Sequence, residues 1–313
     1  MIKNNHRILI LLSTYNGEEY LKEQLDSLES QVGVYLNYLI RDDGSTDNTK
    51  NILNQFAEEK PNIELIFGDN IGSANSYKEL LVISKKYLHI VDFFSFCDQD
   101  DIWLKDKLMI AANRLEKMPF DTPAMYCSNL TLIDENKEIG EMHKAGLVIF
   151  SKGRSLVESI STGCTMVFNK KTIQIFNNKI PQYITIHDLW IYHMCIFLGE
   201  VYYDPTPNIL YRQHNNNEIG AKHNFNARWK SRFKSIKTLS KQHYREWEAK
   251  ELLEIYDEYL SNKDKELIKT VAFYRQDFRK RLTLLWPSKQ SDIKMTNWEL
   301  NFWLKLRIII GKV

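Results

Sequence analysis

The strongest constraint on the fold is a pattern that occurs three times between residues 8 and 83: an apolar run, a polar loop, then a segment of helical periodicity. The apolar runs are residues 8–12, 38–40 and 63–67. Such alternation predicts an α/β fold with a mostly parallel sheet and right-handed crossovers. The carboxyl ends of parallel strands meet at one edge, where open α/β sheets bind ligands.

Three carboxylates follow a fourth apolar run at residues 91–97. Asp98, Asp100 and Asp101 stand in the loop after this predicted strand, and a helix is expected to start near Lys105. Because like charges repel, a hard divalent cation with oxygen ligands is their natural partner. Asp98 and Asp100 alternate in an extended segment, so both side chains can point to one side. The alternative is a solvated acidic turn that caps the following helix.

Three loops resemble, in order and spacing, the landmarks of the family 2 inverting glycosyltransferases with a GT-A fold. They are Ser-Thr-Tyr-Asn at 13–16, Asp-Asp-Gly-Ser-Thr-Asp at 42–47 and Asp-Gln-Asp-Asp-Ile-Trp at 98–103. The resemblance covers roughly residues 6–220. More narrowly, 96–103 and 211–217 are similar to bacterial rhamnosyltransferase-like enzymes of cell-surface polysaccharide synthesis. The resemblance to the GT-A family implies a Rossmann-like, mostly parallel sheet flanked by helices, followed by a C-terminal helical extension.

The resemblance assigns the donor nucleotide to the first two loops. Ser13, Thr14 and Tyr15 match the segment that holds the base, where a Tyr ring offers a stacking face. Asp43, or its neighbour Asp42, matches the carboxylate that accepts a hydrogen bond from the pyrimidine N3–H, which implies a UDP or dTDP donor. Turn formation with the following glycine is the other interpretation of the two aspartates.

The resemblance also implies Mn²⁺ or Mg²⁺, bridging the donor diphosphate. Asp98 matches a position near the ribose and the metal, and Asp100 matches a metal ligand. His214 matches a third metal ligand or a contact to the diphosphate. The cation would stabilise the charge that grows on the departing nucleoside diphosphate. Asp101 can instead cap the following turn, and a structural histidine is the alternative for His214.

The catalytic base is expected farther along the chain. Asp188 precedes an apolar helical stretch and matches the second member of the family's acidic pair; its role would be to take the proton of the attacking acceptor hydroxyl. His187 replaces the first member and is expected to orient or pack. Gly163 and Cys164 match the segment beneath the donor sugar. Helix capping by Asp188, and the ordinary start of a strand at Gly163, stay open.

Charge divides the 313 residues near position 224. Residues 225–313 hold 20 Lys and Arg against 11 Asp and Glu, a net of +9 in a chain whose total is +2. We expect a GT-A domain at 1–224, with a nucleotide-sugar half at about 1–104 and an acceptor half at 105–224, and a basic, mainly helical region at 225–313. Its last segment, 298–310, suits an interfacial helix on an anionic membrane or packing against protein.

Composition indicates an ordinary globular enzyme of the cytoplasm, with a peripheral contact to the inner face of the plasma membrane as an extension. Hydrophobic residues make up 43% and charged residues 26% of the chain. The polar start predicts no signal peptide, and the lack of an 18-residue apolar span predicts no transmembrane helix. Four scattered cysteines predict reduced core residues. We expect a nucleotide-sugar donor and a glycan acceptor, lipid-linked if the tail is interfacial.

Two other functional classes stay open. Nucleotidyltransferases also combine paired carboxylates with metal on an α/β sheet, although no Gly-rich basic loop follows the first strand here. A non-catalytic carbohydrate- or nucleotide-binding module would need no base at Asp188. Nucleic-acid binding is disfavoured, because the basic charge is confined to the tail and no recognition motif accompanies it. The missing G-x-G-x-x-G disfavours a Rossmann dehydrogenase.

Overall fold

The chain forms two compact units. The computed structural model describes residues 5–58, 60–134, 137–143, 148–213 and 243–313. The first unit comprises Met1–Gly146, Ser161–Ile180 and Ile186–Arg212, and the second Leu147–Ile160, Pro181–Thr185 and Gln213–Val313. Leu147–Ile160, Pro181–Thr185 and the residues from Gln213 onward thus belong to the second unit, although all three begin within the first 224 residues. Position 224 itself lies outside the described residues.

A seven-stranded sheet forms the centre of the first unit. Its order is β10 (Glu200–Asp204), β6 (Ala124–Ser128), β9 (Val167–Asn169), β4 (Phe93–Cys97), β1 (His6–Thr14), β2 (Val34–Asp42) and β3 (Ile63–Phe67). Strand β1 pairs in parallel with β2 and β4, and β2 with β3. Strand β9 runs antiparallel between β4 and β6. The prediction of a mostly parallel α/β sheet is confirmed.

The register brings the loops of four strands to one edge. Residues 8–12 of β1 are completely buried, as expected for a central strand covered on both faces. Thr14 pairs with Asp42, Asp42 with Phe67, and Leu12 with Cys97, so β1 to β4 end at similar heights. The loops that follow these strands therefore emerge together, as the sequence predicted.

Six α-helices and a small second sheet complete the described part of the first unit. The helices are α1 (Leu21–Glu29), α2 (Thr49–Glu58), α3 (Ser73–Ile83), α4 (Lys107–Leu115), α6 (Lys170–Asn178) and α7 (His187–Leu198). The small sheet has the order β5 (Ile102–Trp103), β11 (Ile209–Arg212), β7 (Thr131–Asp134) and β8 (Lys137–Glu141). Antiparallel pairing of β11 with β5 brings residues near 212 beside the acidic loop that follows β4.

The second unit is helical where it is described. Its helices are α5 (Lys152–Ser155), α8 (Tyr244–Tyr256), α9 (Asn262–Ala272), α10 (Phe278–Leu285) and α11 (Trp298–Ile309). Side chains of Ser261, Asp277 and Asn297 cap the last three, because their oxygens accept hydrogen bonds from first-turn N–H groups. The fully buried Glu246 pairs with Arg275 and Lys250.

The C-terminal helix α11 buries one face and exposes another. Trp303 and Ile308 are buried, whereas Trp298 is 74% exposed. Arg281 of α10 donates to the carbonyl oxygens of Ile308 and Ile309 at 3.1 and 3.0 Å, which holds the two helices together. None of the helices in the described part of the chain has the length and apolar content that a membrane span requires.

Candidate functional site

A tyrosine and an arginine hold the acidic loop after β4 in place through hydrogen bonds. The Tyr77 hydroxyl lies 2.6 Å from the Cys97 carbonyl oxygen and 3.0 Å from Asp98 Oδ1. The Arg212 N–H donates to Asp101 Oδ1 at 3.3 Å, and Arg212 Nε donates to the Asp100 carbonyl oxygen at 3.1 Å. Arg212 therefore positions the backbone of the loop, a role that the sequence alone did not reveal.

Three potential ligands converge at this loop. One ligand atom each from Asp98, Asp101 and Cys164 lies within 4.8 Å of the other two. Asp100 is not a member of this group, and His214 lies outside the described residues. The structure thus places Asp98 with two residues for which the sequence had suggested other roles, a turn cap for Asp101 and a donor-sugar contact for Cys164.

The chemistry of this group fits a hard divalent cation through its carboxylates. Asp101 is 1% exposed, and its Oδ2 has no hydrogen-bond partner in the described ranges. Burial, followed by repulsion from Asp100 and Asp98, raises the pKa of the Asp101 carboxyl well above its ordinary value. Burial likewise raises the pKa of the Cys164 thiol, which therefore stays protonated. Oxygen ligands suit Mg²⁺ or Mn²⁺, and a neutral thiol does not.

The loop after β1 is joined to the acidic loop by one amide side chain. Gln99 Oε1 accepts from the Tyr15 N–H at 2.9 Å, and Gln99 Nε2 donates to the Tyr15 carbonyl oxygen at 3.1 Å. A Cβ at Gly17 would lie 2.4 Å from Gln99 Oε1, so a side chain there would displace the end of the Gln99 side chain from Tyr15. The Tyr15 side chain is left 47% exposed at this edge. Ser13, also expected to hold the base, has its Oγ 2.6 Å from Ser76 Oγ.

Asp42 is committed to the turn that it starts. Its carboxylate is completely buried and accepts hydrogen bonds from Thr14 Oγ1 at 3.1 Å, the Ser45 N–H at 3.0 Å and the Ser45 hydroxyl. This is the arrangement of an Asx turn, which the sequence offered as the alternative to base binding. The structure therefore brings Thr14 and Asp42 together, but their side chains form a hydrogen bond with each other.

Asp43 ties the end of β2 to the loop before α3. Its Oδ1 accepts from the Ile71 N–H at 3.0 Å and its Oδ2 from the Gly72 N–H at 2.9 Å. The buried Arg41 guanidinium pairs with the same carboxylate. Asp43 is 2% exposed, so any ligand can reach no more than one edge of it.

The segment at Gly163 meets the predicted catalytic base. Asp188, in the first turn of α7, accepts from the Gly163 N–H at Oδ2 (2.9 Å) and from the Leu189 N–H at Oδ1 (2.6 Å). A Cβ at Gly163 would lie 3.1 Å from His187 Nε2 and 3.3 Å from Asp188 Cβ. Because Cys164 belongs to the acidic group, residues 163–164 join the predicted base to that group.

His187 is a packed, neutral side chain. Its ring stacks on Tyr77 with centroids 3.7 Å apart and meets the edge of Phe96 at 4.7 Å. Neither ring nitrogen has a hydrogen-bond partner among the residues described here. Burial lowers the pKa of His187 to about 3, so the ring is uncharged at neutral pH. The stack connects the start of α7 to Asp98 through the Tyr77 hydroxyl.

Comparison with known proteins matches the chain to a family of glycosyltransferases. The model of glycosyl transferase family 2 matches residues 9–176. The dTDP-rhamnosyl transferase RfbG of Shigella flexneri is 35% identical over 230 residues, which cover 70% of this chain and 77% of that protein. The UDP-Glc:alpha-D-GlcNAc-diphosphoundecaprenol beta-1,3-glucosyltransferase WfgD of Escherichia coli is 24% identical over 171 residues, 54% of this chain and 62% of that protein.

Solved structures with the same fold include S. aureus TarS 1-349 in complex with UDP-GlcNAc, with a TM-score of 0.52 and 14% identity over 98% of this chain and 92% of that one. The mannosyltransferase PcManGT from Pyrobaculum calidifontis, in complex with GDP-Man and Mn²⁺, has a TM-score of 0.50 and 14% sequence identity. The match covers 99% of this chain and 89% of that one. These likenesses show the GT-A fold alone. With the family match and the 35% identical relative, they lead to one conclusion: the chain is a glycosyltransferase that belongs to glycosyl transferase family 2 and is similar to its rhamnosyltransferases.

Proposed function

We propose that the protein is a metal-dependent inverting glycosyltransferase that moves one sugar per encounter from dTDP-rhamnose or a UDP-hexose to a hydroxyl of a glycan. The observation that carries the proposal is the junction at residues 163–164, which contacts Asp188 on one side and groups with Asp98 and Asp101 on the other. This junction supports a general base and a cation site that lie close together at the edge of the sheet. The donors named for RfbG and WfgD, dTDP-rhamnose and UDP-Glc, support the donor class.

The donor base is proposed to stack on Tyr15 and to donate its N3–H to Asp43. Tyr15 offers a half-exposed aromatic face. Each carboxylate oxygen has about two lone pairs, and Asp43 Oδ2 accepts one described hydrogen bond, from Gly72. The N3–H of uracil or thymine can use the second lone pair, whereas cytosine has no N3–H. Asp42, Thr14 and Ser13 would then support the loops that carry this contact.

The cation, Mn²⁺ or Mg²⁺, is proposed to be held by Asp98 and Asp101. Asp98 is half-buried and can face both the ion and the ribose. Repulsion from Asp100 raises the pKa of Asp101. Asp100, which the family pattern suggests as a ligand, and His214 stay proposed ligands of the cation. When bound, the cation would offset the negative charge on the departing diphosphate. Asp98 and Asp101 would supply its negative ligands.

Asp188 is proposed as the general base. Hydrogen bonds from the Gly163 and Leu189 N–H groups fix the orientation of both its oxygens. An acceptor hydroxyl next to it would lose its proton to this carboxylate while its oxygen attacks the anomeric carbon from the face opposite the leaving group. A single displacement inverts the configuration of that carbon.

A lipid-linked acceptor at an anionic membrane would suit the second unit. Phe278 and Trp298 begin α10 and α11, Trp286 directly follows α10, and all three are between 70% and 74% exposed. Basic residues such as Lys280 and Lys305 lie in the same two helices. Aromatic rings and basic side chains together favour the interface of an anionic bilayer. The printed name of WfgD includes a diphosphoundecaprenol acceptor, which supports the same acceptor class.

The proposed function is tested by a transfer assay with dTDP-rhamnose and with UDP-hexoses, in Mn²⁺ or in EDTA, on lipid-linked glycan acceptors. We expect transfer in Mn²⁺, none in EDTA, and an inverted anomeric centre by NMR. The matched variant is Asp188→Asn, which should bind nucleotide as the wild type does and transfer no sugar. Transfer that persists in EDTA, or a retained anomeric configuration, would overturn the corresponding part of the proposal.

A further inference from the structure

One buried tyrosine contacts both the acidic loop and the start of α7. Tyr77 lies in α3 and is 2% exposed. Its hydroxyl lies 2.6 Å from the carbonyl oxygen of Cys97, the last residue of β4, and 3.0 Å from Asp98 Oδ1. Its ring stacks on His187, the residue before the proposed base, with centroids 3.7 Å apart and planes inclined by 15°. A single side chain of α3 therefore joins the proposed cation site to the helix that carries the proposed base.

Aromatic packing alone does not explain the hydroxyl of Tyr77. The ring also meets Phe96 edge-on, with centroids 5.4 Å apart, and a phenylalanine at position 77 would make the same two ring contacts. A phenol is protonated at neutral pH and has one proton to donate, and the Cys97 carbonyl and the Asp98 carboxylate are both within hydrogen-bond distance. Hydrogen bonds to an ionised carboxylate are stronger than those between neutral groups. The hydroxyl therefore restrains Asp98 relative to the end of β4.

The ring of Tyr77 acts on the other partner, His187. The histidine ring is held by Tyr77 and Phe96, and neither of its nitrogens has a hydrogen-bond partner among the described residues. A Cβ at Gly163 would lie 3.1 Å from His187 Nε2, so this ring also packs close to the backbone whose N–H donates to Asp188 at 2.9 Å. Loss of the stack would therefore loosen the start of α7 next to the base.

We propose that Tyr77 is a positioning residue with two roles: its hydroxyl orients Asp98 for the cation, and its ring holds the start of α7 and thereby Asp188. The inference rests on the metal dependence and the base proposed above, and it names the residue that supports both. A hydrogen bond to a metal ligand raises metal affinity because the ligand is already oriented when the ion binds. A general base works only when it is held within reach of the proton that it takes. Because the two roles use different atoms of Tyr77, mutations can separate them.

The variant Tyr77→Phe keeps the ring and removes the hydroxyl. We expect the affinity for Mn²⁺ alone, followed by EPR, and the affinity for UDP or dTDP in Mn²⁺, followed by calorimetry, to fall about tenfold, because Asp98 is no longer held. The matched control is Tyr38→Phe: Tyr38 is also 2% exposed, and its hydroxyl donates to the Glu29 carboxylate at 2.7 Å. This control should bind both ligands as the wild type does. Unchanged affinities in Tyr77→Phe would overturn the role of the hydroxyl.

The variant His187→Leu removes the stack and leaves the Tyr77 hydroxyl in place. We expect kcat to fall about tenfold at saturating donor and Mn²⁺, because the base is less well held. The affinity for Mn²⁺ should match that of the wild type, the reverse of the pattern in Tyr77→Phe. His187→Phe, which restores an aromatic ring, should recover most of the lost kcat. Unchanged kcat in His187→Leu, or a loss of Mn²⁺ affinity as large as that in Tyr77→Phe, would overturn the role of the ring.

Thermal unfolding separates positioning from general packing. Tyr77→Phe and Tyr38→Phe should lower the Tm by similar amounts, because each variant loses a buried hydroxyl that bonds to a carboxylate. A drop in metal affinity in Tyr77→Phe alone is then not a result of lower stability. If both variants lose Mn²⁺ affinity in proportion to their Tm, Tyr77 has only a packing role and the inference is wrong.

Failure of the inference can be told apart from failure of the proposed function. If the wild type binds UDP or dTDP only in the presence of Mn²⁺, and Tyr77→Phe does so equally well, only the role of the Tyr77 hydroxyl is overturned. If the wild type binds nucleotide equally well in Mn²⁺ and in EDTA, the proposed metal dependence is wrong and the role of the hydroxyl is wrong with it.

Discussion

Two pairs of aspartates stand at the same edge of the sheet and are treated in opposite ways. Asp42 ends β2 and Asp43 follows it, and the protein supplies hydrogen-bond donors to all four of their carboxylate oxygens. Asp98 and Asp101 follow β4, and one oxygen of Asp101 has no partner among the residues that the structure describes. The first pair builds loops, whereas the second, here called the incomplete pair, leaves one buried oxygen without a donor among the described residues.

One residue type thus serves both structure and chemistry at this edge. A carboxylate that accepts several internal hydrogen bonds is stable as an anion and rigid. Burial and repulsion from neighbouring carboxylates raise the pKa of Asp101, and a dication next to such a carboxylate would favour its charged form. The contrast predicts that the two pairs respond differently to the same mutation.

The largest expected effect lies outside both pairs, at the proposed base. Asp188→Asn keeps the size of the side chain but removes its ability to take a proton, so we expect kcat to fall by about 10³-fold. Metal-dependent nucleotide binding, which we assign to Asp98 and Asp101, should be unchanged by calorimetry. Equal loss of transfer and of nucleotide binding would contradict a separate role for Asp188.

Removal of a carboxylate from the structural pair should affect folding first. Asp43→Ala leaves the buried Arg41 guanidinium and two N–H groups without their acceptor, which should cost about 3 kcal/mol of unfolding free energy. Urea denaturation measures the loss, and Asp69→Ala, an exposed neighbour in the next loop, is the control. A stable Asp43→Ala protein that merely fails to bind nucleotide would reverse the assignment of this pair.

Removal of a carboxylate from the incomplete pair should do the opposite. Asp101→Asn takes away a buried carboxylate with an unpartnered oxygen, so the Tm of the metal-free protein should be unchanged or higher. Mn²⁺-dependent nucleotide binding should weaken by about 30-fold, because one ligand is lost. Asp121→Asn, at an exposed position, is the control. A large drop in Tm, with metal binding intact, would place Asp101 with Asp42 and Asp43 instead.

The smallest expected effect tests the packing beneath the incomplete pair. The pKa of His187 is about 3 in the folded chain, below its ordinary value of 6.5. Between these values the unfolded chain binds a proton that the folded chain does not, so stability falls as the pH falls through this window. From pH 7 to pH 5 the loss should be about 2 kcal/mol.

The variant His187→Phe should lack that part of the acid sensitivity, while His89→Phe, at an exposed site, should retain it. Urea denaturation at pH 7 and pH 5 measures both. Identical pH dependence in wild type and His187→Phe would mean that His187 is solvated or hydrogen-bonded in solution.

The strands and the edge where the loops meet follow from local sequence, but the composition of the acidic group does not. Residues 8–12 form a buried strand because they are all apolar, and the register of β1, β2 and β4 then aligns their loops. Cys164 joins Asp101 because the antiparallel strand β9 inserts between β4 and β6. No local periodicity reports such a long-range pairing.

Backbone donors and long-range partners are equally invisible in a motif. The sequence placed Asp42 and Asp43 in a loop but could not show that Ile71 and Gly72 N–H groups bond to Asp43. The hydrogen bond from Arg212 to the Asp100 carbonyl oxygen depends on the pairing of β11 with β5, which are more than 100 residues apart in the chain. These contacts are set by tertiary packing rather than by propensity.

The most direct test of the contrast between the two pairs is calorimetric binding of UDP, dTDP, GDP and ADP to the purified protein, first with Mn²⁺ and then with EDTA. We expect binding of dTDP or UDP that requires the metal, with no measurable binding of GDP or ADP. Binding that is unaffected by EDTA, or that favours a purine nucleotide, would contradict both the incomplete carboxylate pair as a cation site and Asp43 as the partner of a pyrimidine.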